Sequence, residues 1–324
     1  MKLQLRRAVV RVLGMLDFLL APLIYPAAWL LKFIRSAGIR HLPYCRRALM
    51  RVGVFPVRNH YYEPQFDMRG LRTLLSDDRT LPGIDWNVGE QLELLGRFTF
   101  GAELTNLPPA PTGRREFTFG NGAFESGDAE YLYQMIRLMR PKRFFEVGSG
   151  NSTLMALRAL RKTKEEDASY QCEHLCIEPY EVPWLETMGV SVIRKRVEEI
   201  ELSLFKELDR NDILFIDSSH VIRPQGDVLF EILELLPNLK GGVIVHIHDI
   251  FSPRNYLKDW IVDEVRLWNE QYLVEAFLSN NAQWKIIGAL NYLYHHHYDR
   301  LKLVTPYLGS DREPGSLYIQ KVRC

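Results

Sequence analysis

The residues best placed to do chemistry fall at the ends of short apolar runs. RFFEVGSGNST, from Arg143 to Thr153, sets one acid, Glu146, just ahead of two glycines, Gly148 and Gly150. Asn151 and Ser152 then supply polar side chains able to cap a helix. A backbone turning this sharply in front of free helical N–H groups makes a cradle for a small molecule. A second run, CIEPY, ends in Glu178. Two aspartates and two histidines end two further runs: Asp217 and His220 in DILFIDSSH, His248 and Asp249 in GGVIVHIHDIF. Imidazoles beside carboxylates can exchange a proton near neutral pH or share a metal ion. The plain alternative is that they hydrogen-bond across and tie two loops together.

The type of cradle can be narrowed. A dinucleotide turn needs glycine at its first, third and sixth positions, and here the sixth is Thr153. Glu146 ahead of the turn suits a ligand that brings a positive charge. S-adenosylmethionine carries an ammonium and a sulfonium and no phosphate. A carboxylate at the next strand tip, Glu178, can accept both ribose hydroxyls. After the third strand, RVEEI offers Val197 and Glu198 to flank the adenine. The expected cofactor set is Glu146, Gly148, Ser149, Gly150, Asn151, Ser152, Glu178, Val197 and Glu198.

Strands and helices must alternate to place these tips together. The pattern predicts a helix from Asp128 to Pro141, a strand to Glu146 and a helix to about Lys162. Strands follow at His174 to Glu178, Ser191 to Lys195 and Asp212 to Asp217, then a helix from Asp227 to Leu236 and a strand from Gly242 to Ile247. A long amphipathic helix is predicted over Leu257 to Leu278, and two late strands near Trp284 to Ile287 and Ser316 to Val322. The fold class is α/β, with a mostly parallel sheet, helices on both faces and ligands beyond the C-terminal strand ends. His246 reads as buried and hydrogen-bonded; Arg223, Arg254 and His295 to His297 read as solvated.

Ahead of this region the chain changes character. Residues 1 to 60 hold eleven Lys or Arg against one acid, Asp17, so the other 264 residues carry a net −9. FLLAPLIYPAAWLL, from Phe18 to Leu31, has no charge, but Pro22 and Pro26 should break or kink a helix there. Residues 1–40 are read as a membrane-associating helical leader, monotopic or re-entrant, with a helical hairpin packed on the protein's own core as the alternative. The basic residues interleave with aliphatics, which disfavours nucleic acid. Residues 41–124 read as an irregular extension packing on the core, helical only over Val88 to Phe98, with His60, Tyr61 and Tyr62 in a loop that covers it. Four sparse cysteines read as reduced thiols.

EVGSGNST, IEPY, DILFIDSSH and GGVIVHIHDIF together resemble the class I S-adenosylmethionine-dependent methyltransferases, most closely the bacterial macrocin and catechol O-methyltransferase branch. The resemblance covers about residues 115 to 324, with the methyltransferase domain at 125–324. It implies a Rossmann-like seven-stranded sheet whose last strand, SLYIQKV, is antiparallel. It also implies a divalent metal, Mg²⁺ or another, at Asp217, His248 and Asp249, histidine being unusual at its position, and a base at His220. The function expected is O-methylation of a small-molecule, glycan or lipid-linked acceptor on the cytoplasmic face of a membrane. The rivals are a divalent-metal hydrolase or oxygenase on the same fold and a non-catalytic adenosine-cofactor-binding membrane scaffold.

Overall fold

The computed structural model describes residues 2–65, 68–105, 115–180 and 182–322, with side chains from Val12 onward. The LPPAPTG stretch and Cys324 lie outside the described residues. Two compact units form, residues 1–72 and 73–324.

In the first unit, helix α1 (Lys2–Ser36) runs unbroken through Pro22 and Pro26. This corrects the expected break. A proline in the interior of a helix costs about 3 kcal/mol, which a ladder of this length can absorb. The two prolines sit four residues apart on one face. The helical hairpin is also corrected, because α1 is a single helix, with its side chains exposed from Val12 to Leu30. Its segment Val12–Ser36 is long and apolar enough to cross a membrane. Helix α2 (Pro43–Val52) follows one 3-10 turn. Tyr61 and Tyr62 are exposed and cover no core, while Glu63 accepts ion pairs from Arg35 at 2.8 Å and Arg58 at 3.4 Å.

The second unit holds helices α3 (Val88–Arg97), α4 (Asp128–Met139), α5 (Asn151–Glu166), α6 (Leu202–Phe205), α7 (Asp227–Phe230), α8 (Leu236–Asn238), α9 (Glu270–Leu278), α10 (Leu290–His296) and α11 (Tyr298–Val304). Its strands are β1 (Arg143–Val147), β2 (Glu173–Ile177), β3 (Ser191–Ile193), β4 (Ile213–Ile216), β5 (Ile244–Ile247), β6 (Trp284–Ala289) and β7 (Leu317–Lys321). They form one sheet in the order β3-β2-β1-β4-β5-β7-β6, with β7 antiparallel to both neighbours. This is the seven-stranded Rossmann-like sheet the sequence implies.

Alternation along the strands feeds two cores. Phe144, Phe215 and Tyr318 pack with α4 and α5 on one face; Phe145, Leu214 and Ile319 pack with Val228 and Val274 on the other. Strand order reverses between β1 and β4, so the crevice beyond their C-terminal ends is where such a sheet binds ligands.

The expected long helix from Leu257 to Leu278 is not formed. A π turn over Asp259–Asp263 gives way to extended chain, with Val265 at φ 55°, before α9 starts. Arg266 lies over both Trp260 and Trp268, 4.4 and 4.6 Å from their centroids, and these contacts replace helical ones. Of the three histidines, His295 differs from expectation, being half-buried, whereas His296 is exposed as expected. His295 lies 2.8 Å from Glu313 and His296 2.6 Å from Asp78. Arg254 pairs with Asp78 as well.

Candidate active site

Gly148 is the pivot of the first turn. It sits at φ 77°, and a Cβ there would be driven into the backbone carbonyl of Asp217 at the end of β4. The two strand ends are held together by the Asp217 N–H donating to the Val147 carbonyl, 2.8 Å. Thr153, which takes the place of the third glycine, accepts the Gly150 N–H at 3.0 Å and so closes the helix start with its side chain. Glu178 at the tip of β2 accepts the N–H groups of Ser149 and Tyr180, both at 3.2 Å.

A cleft of about 620 Å³ opens here, lined by Gly148, Glu178, Val197, Glu198 and Asp217 among others. Four carboxylates line it against two guanidiniums, Arg196 and Arg223. Both guanidiniums are engaged: Arg196 donates to the Tyr180 hydroxyl, 2.8 Å, and Arg223 pairs with Asp227, 3.3 Å. The donor set therefore fits a cationic nucleoside better than a phosphate. Ser149, Gly150, Asn151 and Ser152 form the turn and first helical turn beside the cleft, Ser152 being buried. Glu146 is not brought to the lining. It pairs in register with Cys176, and its Oε2 lies 2.7 Å from His174 Nε2 while accepting the Cys176 thiol at 3.4 Å. Among the described residues its buried Oε1 has no hydrogen-bond partner.

Asp217 is shared between this cleft and a second group. Ligand atoms of Asp217, His248 and Asp249 lie within 4.8 Å of one another. His248 Nδ1 is 3.4 Å from Asp217 Oδ1 and 3.6 Å from Asp249 Oδ1, and its Nε2 faces Asp128 at 3.9 Å. Two oxygens and one imidazole nitrogen suit a divalent cation of intermediate hardness. His220 closes the ring, with Nε2 at 3.3 Å from Asp217 and 3.6 Å from Asp249. His220 and Asp249 both hold left-handed backbone, at φ 59° and 58°. Strain of this kind is maintained only where the surroundings over-determine it.

The charges respond to one another. Burial opposes ionisation of Asp217, yet the His248 charge and the hydrogen bond from His220 hold its carboxyl far below the usual range. Burial also opposes charge on His220, but its hydrogen bonds to Asp217 and Glu270 raise its pKa well above the ordinary value. His248 rises against burial through the charges of Asp249 and Asp217. Asp249 is pushed up to about 6, chiefly by burial. His246 is buried, bonds to Ser316 at 2.7 Å, and is kept neutral by burial and by the neighbouring His248 charge.

Glu270 is the residue that sequence reasoning missed. It is fully buried at the first position of α9, and its Oε2 lies 2.8 Å from His220 Nδ1. The loop after β4 fixes this start: the His220 carbonyl accepts the N–H groups of Asn269 and Glu270 at 3.0 and 3.2 Å, and Asn269 Oδ1 accepts the Ile222 N–H at 2.6 Å. Trp268 stacks against His220, with centroids 4.2 Å apart. The available signal was Asn269, a cap-type residue immediately ahead of the acid. Below lies Glu231, fully buried in a π turn, where burial and then the Glu270 charge push its carboxyl well up. It accepts the Ser218 hydroxyl at 2.9 Å.

The family model described as a methyltransferase domain matches residues 145–250, which run from within β1 to just past β5 and contain the cleft-lining residues named above together with Asp217, His248 and Asp249. Over those residues the chain resembles a methyltransferase domain. A protein of Archaeoglobus fulgidus, itself uncharacterised, is 29% identical over 173 residues, covering 49% of this chain and 76% of that protein. An O-methyltransferase from Bacillus cereus, solved in complex with S-adenosylhomocysteine, is 13% identical over 71% of this chain and 90% of its own, with TM-score 0.37. MycE methyltransferase from the mycinamycin biosynthetic pathway, solved with Mg, S-adenosylhomocysteine and mycinamycin VI, is 14% identical over 72% and 55%, with TM-score 0.35. The methyltransferase fold assignment rests on strand order and the antiparallel β7.

Proposed function

We propose that this protein is an O-methyltransferase of the macrocin and catechol type, acting on a small-molecule, glycan or lipid-linked hydroxyl. The observation that carries the reading is Asp217, which lines the cofactor cleft and also stands 3.3 Å from His220 and 3.4 Å from His248. A hydroxyl placed at this junction lies between a methyl donor and a base, the arrangement methyl transfer to oxygen needs.

Glu178 and the Gly148 turn hold S-adenosylmethionine, which supplies an electrophilic methyl group. Asp217, His248 and Asp249 hold a divalent cation, which acidifies an acceptor hydroxyl when bound. Once His220 has released its Nε2 proton it takes the hydroxyl proton on Nε2, and Asp217, 3.3 Å away, stabilises the imidazolium that forms. Its Nδ1–H donates to Glu270 Oε2 at 2.8 Å, so the ring keeps one tautomer and one orientation through the transfer. Trp268 covers one face of the ring and limits its access to water.

Helix α1 is read as the membrane anchor, with the domain at the cytoplasmic face. Its 25-residue, predominantly apolar segment from Val12 to Ser36 supports that reading. Calorimetry of the full chain with S-adenosylmethionine tests the core of the proposal: an absence of binding heat would sink it. Cell extract incubated with the protein and methyl-labelled S-adenosylmethionine, followed by mass spectrometry, identifies the acceptor. Label appearing only on nitrogen or carbon contradicts the oxygen assignment.

A further inference from the structure

Helix α2 is amphipathic in a way α1 is not. At 100° per residue, Tyr44, Cys45, Ala48, Leu49 and Val52 share one face; Arg46 and Arg51 border it, and Arg47 lies on the far side beside Met50. None of its residues is buried, and Tyr44 and Val52 are 81% and 76% exposed. The next residues, Val54 and Phe55, are exposed too. No acid occurs between Asp17 and Glu63, and Glu63 is taken up by Arg35 and Arg58. A helix with Tyr44 and Val52 exposed on its apolar side and three arginines around it is incomplete in water.

We infer that α2 lies in the headgroup layer of an anionic bilayer leaflet, its apolar face toward the acyl chains and Arg46, Arg47 and Arg51 at lipid phosphates. The inference rests on the reading of α1 as the anchor. Only the six residues 37–42 separate the two helices, so a bilayer that takes α1 brings α2 to its surface. Val12–Ser36, at 1.5 Å per residue, spans about 37 Å, enough for a hydrocarbon core of about 30 Å. Gly38, at φ 88°, allows the chain to turn between the helices. Basic residues beside an anchor are each favoured about fivefold at an anionic surface, so three arginines amount to on the order of 100-fold. Nucleic acid would satisfy the arginines but leave Tyr44, Leu49 and Val52 uncovered.

Cys45 sits on the apolar face and provides the probe. In a C172S/C324S background, with the remaining Cys176 buried, a nitroxide on Cys45 of the full chain is read for collisions with oxygen and with a water-soluble nickel chelate. Vesicles of phosphatidylcholine are compared with vesicles that also contain phosphatidylglycerol. The expected result is a several-fold fall in nickel access and a rise in oxygen access with the anionic lipid. R46E/R47E/R51E is expected to restore nickel access while S-adenosylmethionine binding by calorimetry is unchanged. A chain that stays with the vesicles after carbonate extraction, yet leaves Cys45 equally open to nickel in both lipids, overturns the α2 inference and leaves the anchor standing. A chain that carbonate strips from both overturns the anchor and the inference together. Protection of Cys45 that persists in detergent without lipid overturns it in favour of a protein partner.

Discussion

Glu270→Gln is the substitution that most directly tests how the site works. Glutamine has the shape of glutamate and can still accept one hydrogen bond, so packing in α9 is preserved while the charge is lost. The contact is 2.8 Å long, between a side chain 6% exposed and one fully buried, so little solvent screens it. A hydrogen bond to a charged group is worth about 1.5–3 kcal/mol. If that stabilisation belongs to the imidazolium formed as the hydroxyl proton arrives, turnover falls about 10- to 150-fold. The Nδ1 proton of His220 gives a readout independent of any acceptor: bonded to a buried carboxylate it resonates far downfield of the amide envelope in ¹H–¹⁵N spectra. Glu270→Gln should move that resonance upfield, Glu270→Asp should partly retain it, and calorimetric binding of S-adenosylmethionine should stay within a factor of two or so of wild type. An unmoved resonance in Glu270→Gln, or undiminished turnover on the identified acceptor, refutes the orienting role.

Other substitutions separate the parts of the site. Gly148→Ala should lower the thermal midpoint and abolish S-adenosylmethionine binding, because its Cβ meets the Asp217 carbonyl at a left-handed φ; calorimetry of a folded variant with normal affinity would contradict this. Glu178→Gln should weaken S-adenosylmethionine binding about tenfold or more without lowering affinity for Mn²⁺, since the carboxylate lies in the cleft and outside the ligand group. Mn²⁺ affinity should rise as pH is raised through about 6. Asp249 has a carboxyl pushed up to about 6 and His248 holds its proton above the ordinary value, so binding must displace protons and is favoured by their removal. Affinity that is flat from pH 5 to pH 8, measured by Mn²⁺ electron paramagnetic resonance, would remove Asp249 from the ligand set. Deleting residues 1–40 should release the protein from the membrane fraction, and a truncated chain that still sediments argues against α1.

The strand ends are legible in the sequence because each couples an apolar run to a residue type that a core tolerates only at its edge. Glu178, Asp217 and Asp249 each end such a run, and a parallel sheet with a reversal in strand order brings those tips to one side. Glu146 follows the same logic and still faces elsewhere, since register against β2 sets it between His174 and Cys176, and register between strands is not written in either strand alone. The break before α9 is illegible for a related reason. Leu257 to Leu278 has helical periodicity throughout, and what overrides it is Arg266 over two tryptophans and the His220 carbonyl capping the N–H groups of Asn269 and Glu270, partners some 50 residues away. Helix α1 shows the opposite error, where a local rule about proline gives way to the length of the surrounding ladder.

The override at α9 explains why the site can work with so many acids. Asp217, Asp249, Glu270 and Glu231 converge on His220 and His248, and a helix continuing through 264–269 would not place an acid at its own first turn, where the N-terminal backbone dipoles favour a carboxylate. Glu270 sits at such a first turn, while Glu231, in the interior of its helix, is driven toward its protonated form by burial and then by the Glu270 charge. One buried carboxylate is thus kept as a partner for the imidazole and the other as a neutral spacer. Exchanging these roles is a direct test of the point: Glu231→Gln should be nearly silent in the His220 spectrum and in stability, since a neutral amide replaces a neutral acid and can still accept the Ser218 hydroxyl. If Glu231→Gln instead displaces the His220 resonance as far as Glu270→Gln does, the charge sits on the other carboxylate and the assignment of the pair is reversed.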